Sequence, residues 1–218
     1  LIRSRLGRDL EPFDIWYRDF TAEEGLKEDE LNGIVKSKYP NVAAFQEDLP
    51  RILVFVGFDK DTANYLSSKI VVDPSRGVGH ATGARRREDN AHLRTRFGKD
   101  GMDYKGYNIA IHELGHNVEQ VLSLNKMDHY LLEGVPNTAF TETFAFAFQA
   151  LDLDILGVKR KPEKSADSLK AIKSIWSTFE IAGVSMVDIR IWNWMYDNSD
   201  ATDEELKEAF LKISKDVW

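Results

Sequence analysis

His112-Glu113-Leu114-Gly115-His116 is the stretch on which the reading of this chain turns. On an α-helix, residues four apart lie one turn above each other on the same face. Imidazoles at 112 and 116 can therefore converge on one cation. Glu113, the neighbour of the first histidine, is offset around the helix and can reach a water beside that cation without binding the cation itself. The surroundings favour a helix from about Asp103 to Leu124, because Ile111, Leu114, Val118, Val121 and Leu122 recur with helical spacing. The competing reading is two core histidines satisfied by hydrogen bonds. With five histidines in 218 residues, a chance match to H-E-x-x-H is rare.

A catalytic zinc site takes three protein ligands and keeps one position open. The extended motif that would place a third histidine six residues past His116 is not met, since position 122 is leucine. A carboxylate is the other common solution. Glu119 sits on the same helix, three residues past His116, and cannot easily turn round to the ion. Glu133 precedes Gly134 and Pro136 in an expected loop. Glu142 falls in the first turns of the next expected helix, Thr138 to Leu151, and is favoured over Glu133. The expected metal set is thus His112, His116 and Glu142 holding Zn2+, with Glu113 as the catalytic base.

Outward from this region, Thr21 followed by Glu24 reads as a capping box opening a helix to about Lys38. Leu10 to Phe20, rich in aromatics and punctuated by Pro12, reads as an irregular packed segment. Asn41 to Asp48 reads as a short helix stopped before Pro50, and Arg51 to Phe58 as a buried strand or short buried helix. Asp61 to Ser68 is helical. Lys69 to Asp73 is a strand candidate broken by Pro74, and Ala91 to Phe97 an edge strand. Gly77 to Gly83 reads as a mobile turn near the cleft; it fits no phosphate-loop pattern. Arg85 to Glu88 reads as a solvated turn. Phe140, Phe144, Phe146 and Phe148 read as core. Ser165 to Ala182 and Thr202 to Trp218 read as further helices, with Asp203, Glu204 and Glu205 suiting the first turn of the last one. The fold class is α+β, mainly α, with a small sheet beside the histidine helix. The charged, proline-containing stretch from Gly157 to Lys164 divides a core, residues 1–157, from a helical tail, residues 158–218, expected to pack on it.

Composition narrows the function classes. The formal net charge of −7 argues against nucleic acid as main partner. The absence of cysteine excludes disulfides, thiolate-bound zinc and thiol nucleophiles. No segment has the apolar length of a membrane span, and the first ten residues carry Arg3, Arg5 and Arg8 without an apolar run, so no signal peptide is visible. Compartment and oligomeric state stay open.

With these residues in place, the chain resembles the oligoendopeptidase F and thimet oligopeptidase family of zinc peptidases. In that family a glutamate about 25 residues beyond the second histidine completes the metal site; here the interval is 142 − 116 = 26. Gly134 to Glu142 is similar to the family's approach to that glutamate, and Leu10 to Tyr17 looks like its Pro-aromatic-Asp element. The resemblance covers about residues 8 to 150. It implies a zincin-like catalytic domain, zinc as cofactor and a peptide substrate. One departure stands out. The family carries a His/Tyr-rich segment downstream of the glutamate, whereas here no histidine follows Glu142 and Tyr196 is the single tyrosine there. The chain also starts at Leu, and is expected to be a piece of a longer one.

The expected reaction is peptide hydrolysis, Glu113 taking a proton from a zinc-activated water and passing it to the leaving amine. Candidates to stabilise the oxyanion are His129, Tyr130, Tyr104, Tyr107, His80 and His92, with Arg94 and Arg96 lining a groove for a bound peptide strand. A zinc-binding domain without catalysis, and an exopeptidase of the same class, are the alternatives.

Overall fold

The structure is a computed structural model describing residues 2–11, 14, 27–132, 134, 137–158 and 166–217. It is mainly helical with one three-stranded sheet. Its contacts divide it into two compact units: residues 25–160, and residues 1–24 together with 161–218. Among the described residues no helix is long and apolar enough to cross a membrane.

The unit of residues 25–160 begins with α2 (Glu28–Lys38). Lys27 is extended, and the Glu30 carboxylate accepts from its backbone N–H at 3.0 Å. The N-cap therefore lies six residues later than the Thr21 capping box implies. Thr21 and Glu24, like Phe13, Trp16, Tyr17 and Phe20, lie outside the described residues. The next helix, α3 (Val42–Val56), is capped by Asn41, whose side chain accepts from Ala44 N. It continues through Pro50, which corrects the expected stop and, of the two readings of Arg51 to Phe58, favours helix over strand. Phe45, Leu49, Ile52 and Leu53 are all fully buried. Their spacing is that of one helical face, so burial of four large side chains outweighs the one backbone hydrogen bond that proline removes.

After α4 (Lys60–Ser68), capped by Asp59, the chain enters the sheet. Strand β1 (Ile70–Ser75) pairs in parallel with β3 (Ala91–Arg96), and β2 (His80–Thr82) pairs antiparallel with β3 on its other side, giving the order β1-β3-β2. Two expectations are overturned. Ala91 to Arg96 is the central strand, not an edge, and the glycine-flanked segment read as a turn is the edge strand β2. The alternation of β3, with Ala91, Leu93 and Thr95 buried and His92 and Arg94 exposed, fits either position. Only pairing distinguishes them. Pro74 lies inside β1, not at its end, which an outer strand tolerates.

The buried face of the sheet packs against α5 (Tyr104–Lys126), whose Ala110, Ile111, Leu114 and Val118 are fully buried. Next follow α6 (Thr138–Gln149) and the short α7 (Asp152–Leu156). The phenylalanines of α6 do not all enter the core. Phe148 is buried and Phe144 partly so, one turn apart, whereas Phe140 and Phe146 are more than half exposed. A helix shows the core one face, and these four residues occupy more than one. In the Arg85 to Glu88 turn, Arg87 donates from Nε to Leu124 O at 3.0 Å, satisfying a carbonyl at the end of α5.

In the other unit, α1 (Ile2–Leu6) precedes Arg8, which grips Asp14 through two bonds of 2.8 and 2.9 Å. Helix α8 (Ala166–Asp197) is a single 32-residue element, extending fifteen residues past the expected end at Ala182. Gly183 takes ordinary negative-φ backbone there, so it does not end the helix. Helix α9 (Asp203–Val217) opens on a Thr202/Glu205 capping box, and Asp216 pairs with Arg190 of α8 at 3.1 Å.

A polar clamp closes the core near α3. The Asp48 carboxylate receives Tyr39 Oη at 2.6 Å and Arg51 through bonds of 2.6 and 2.7 Å. Burial pushes this carboxyl up, but the bonds from Arg51 and Tyr39 and the nearby cationic charges overcome it, leaving it below its usual value. A depressed folded value contributes stability above the unfolded carboxyl value of about 4, and that contribution fades as pH falls through the folded one. Asp48→Ala should therefore cost about 2 kcal/mol at neutral pH, with the gap to the parent protein narrowing in chemical denaturation below about pH 4. A gap that widens on acidification would contradict the clamp.

Candidate metal centre

Helix α5 begins at Asp103, whose side chain accepts from Gly106 N at 2.7 Å and is gripped by Arg96 at the end of β3. The Thr95 hydroxyl donates to Gly106 O at 2.8 Å from a buried position. The helix is thus tied at its origin to the central strand. One face carries the core residues, and His112, Glu113 and His116 lie partly exposed beside them.

His112 and His116 stand one turn apart with ring centroids at 4.9 Å and planes at 79°. Their Nε2 atoms each lie 3.4 Å from a different oxygen of Glu142, His112 facing Oε2 and His116 facing Oε1. One ligand atom from each of the three residues falls within 4.8 Å of the other two. Both imidazoles are sheltered, at 16% and 15% side-chain exposure, while the carboxylate is 44% exposed. The three residues expected to share a cation are therefore brought together. Glu113, next to His112 on the same helix, is outside this cluster.

Helix α6 delivers Glu142. It is capped by Asn137, whose side chain accepts from Phe140 N at 3.0 Å. As residue numbers rise along α5 they fall along α6: His112 meets Gln149, Gly115 meets Ala145 and His116 meets Glu142. The two helices are antiparallel. They come so close that a Cβ on Gly115 would stand 2.6 Å from Ala145 Cα. Phe146, more than half exposed, places its ring 4.9 Å from that of His112.

Strand β2 lies alongside. A Cβ on Gly79 would stand 2.2 Å from Ile109 Cγ2 and 3.4 Å from Glu113 Cγ, and one on Gly83 would stand 3.3 Å from Gln120 Cδ. The edge strand therefore runs along α5 in the same direction, its two flanking glycines admitting the helix at Glu113 and, two turns on, at Gln120. Among the described residues β2 pairs only with β3.

The other sequence candidates fall as follows. Glu119 is not in the ligand cluster, and burial raises its carboxyl above the usual value. Glu133 and the side chain of Tyr130 lie outside the described residues. Tyr107 is fully buried and donates to Asp152 O at 2.9 Å, and Tyr104 donates to Asp152 Oδ2 at 2.7 Å, so both hydroxyls serve the core. His129 and His80 are exposed. His92 is exposed on the far face of the sheet with Nδ1 2.7 Å from Asp73 Oδ2. Arg94 and Arg96 belong to the central strand, and Arg96 is engaged by Asp103.

Sequence reasoning missed Gln149. It lies seven residues, two turns, after Glu142, hence on the same face of α6. Its Oε1 is 3.1 Å from His112 Nδ1.

No protein-family profile and no curated protein matches the chain. Among solved structures, it is similar to a crystal structure of a protein provisionally assigned as an oligoendopeptidase F from Bacillus anthracis str. Ames. The TM-score is 0.50 at 13% identity, over 98% of this chain and 46% of that one. This chain spans less than half the length of that structure, and at this identity the likeness is one of fold: the fold is related to that of a protein assigned as a peptidase.

The α5–α6 contact has a direct test. Gly115→Ala improves helix propensity by about 1 kcal/mol, yet its methyl overlaps a backbone atom of the neighbouring helix, where overpacking costs about 1–3 kcal/mol. Urea denaturation should show a net loss of stability. Adding Ala145→Gly should not restore it, because the clash is with Cα. Full rescue by that second change would show the helices are not held at this distance.

Proposed function

We propose that this chain is a zinc-dependent peptidase catalytic unit in which His112, His116 and Glu142 hold the metal and Glu113 is the general base. The observation that carries this reading is the 3.4 Å spacing of both imidazole Nε2 atoms from the Glu142 oxygens. That distance is long for a charge-assisted hydrogen bond. Each distance is near the separation of two donors on one zinc with bonds of about 2.0–2.1 Å, about 3.3–3.4 Å, the carboxylate offering a different oxygen to each imidazole. Two imidazoles and a carboxylate are also the donor set of known hydrolytic zinc sites, and three donors among the described residues is the number of an open site rather than a closed structural one.

Zinc, when bound, would supply a Lewis acid to both the attacking water and the scissile carbonyl. The chain's own residues supply the rest. Glu113, offset from the ligands on α5, takes a proton from the water as it adds to the carbonyl carbon. It then returns that proton to the amine as the C–N bond breaks. His112 and His116 would offer their Nε2 atoms to the metal and leave the proton traffic to Glu113. The edge of β2, running past Glu113, offers backbone groups on which an extended peptide can pair. This replaces Arg94 and Arg96, whose strand is central. The fold likeness to a protein assigned as a peptidase supports the reaction class.

Glu113→Gln should keep zinc at one equivalent and lower peptide turnover by about a hundredfold to ten-thousandfold. Digestion of a mixed-peptide library, read by mass spectrometry beside metal analysis, decides it. Wild-type turnover by the zinc-loaded variant would falsify the role of Glu113. Tight zinc with no cleavage of any peptide by the parent chain would favour the non-catalytic zinc-binding domain.

A further inference from the structure

Behind His112 lies a row of polar side chains whose order is forced. Asp152 is 4% exposed. As a carboxylate it only accepts, and its oxygens take Tyr104 Oη at 2.7 Å, Asn108 Nδ2 at 2.7 Å and Leu153 N at 2.6 Å. Asn108 must therefore turn its amide nitrogen toward Asp152 and its oxygen away. That oxygen accepts from Gln149 Nε2 at 2.7 Å. Gln149 must in turn direct Oε1 toward His112, where it stands 3.1 Å from Nδ1. An amide oxygen cannot donate, so the hydrogen between them has to reside on the imidazole.

We propose that Gln149 is a positioning residue: with Asn108 and Asp152 it holds His112 as the Nδ1–H tautomer, leaving the Nε2 lone pair free to face Glu142 and His116. The buried carboxylate sets the direction of every bond in the row, and two amides transmit it along one turn of α5, from Asn108 to His112. The row joins α5, through Asn108 and His112, to α6 and α7, through Gln149 and Asp152. It thereby fixes ring rotation as well as proton position. A neutral amide does this without placing a second negative charge beside the Glu142 carboxylate. The tautomer does not depend on the zinc reading; the consequence for metal affinity rests on it.

Two measurements test the proposal. In metal-free, imidazole-15N-labelled protein carrying Glu142→Ala, which removes the competing acceptor at Nε2, long-range proton–nitrogen correlations are recorded at about pH 8.5, above the ordinary imidazole value. His112 should be the Nδ1–H form, and adding Gln149→Met should return it toward the Nε2–H form that free histidine favours in water. A predominant Nε2–H signal in the presence of Gln149 overturns the proposal. In the otherwise unaltered protein, Gln149→Met should weaken zinc about 10- to 100-fold in chelator competition, and unchanged affinity also overturns it. If the parent protein binds no zinc, the zinc reading fails by itself, and the tautomer measurement alone decides the role of Gln149.

Discussion

The site depends on how near α5 and α6 come to each other. At Gly115 and Ala145 the contact is almost backbone to backbone, and a side chain larger than hydrogen at 115 would push the helices apart. The distances between the two imidazoles and the carboxylate follow from that approach, because the histidines belong to one helix and the carboxylate to the other. Glutamate has a limited reach, so the small residues at the crossing, by admitting a close approach, help bring its carboxylate to both imidazoles. The glycine inside His-Glu-Leu-Gly-His is thus part of the construction of the site, although it offers no ligand atom.

Close packing alone would leave the imidazoles free to rotate. The row from His112 through Gln149 and Asn108 to Asp152 removes that freedom and gives a reason for burying a carboxylate under the site. A buried carboxylate is costly unless fully hydrogen-bonded, and Asp152 takes donors from two side chains and its own helix start. Tyr107, stacked on Tyr39 at 5.7 Å and bonded to Asp152 O, links this row to the aromatic core around Phe45. The sheltered side of the His112, His116 and Glu142 cluster and the hydrophobic core are therefore one connected structure. The Glu142 side is the exposed one.

The sheet contributes a border. Strand β2 is short and glycine-flanked, and those glycines let it lie against α5 beside Glu113. A backbone edge next to the proposed base is what an extended chain would need in order to present a peptide bond there. The likeness to a solved structure at 13% identity is one of fold, kept while most side chains differ.

The local chemistry was legible in the sequence. Four-residue spacing places His112 and His116 on one helical face whatever surrounds them, and the helices from about Asp103 and from Thr138 are both read from the sequence. Glu142 could be favoured because a following helix is the simplest way to bring back a carboxylate. Tertiary structure decided what depends on partners. Alternation in Ala91 to Arg96 fits an edge or a central strand equally, so the edge passed unseen to β2. Pro50 reads as a stop, yet the burial of Phe45, Leu49, Ile52 and Leu53 carries α3 through it. The direction of Gln149 toward His112 depends on Asp152 and Asn108, which only the packing of α5 against α6 and α7 brings into reach. Spacing along one helix is a property of the covalent chain, whereas pairing, burial and the order of a hydrogen-bond row exist only between segments.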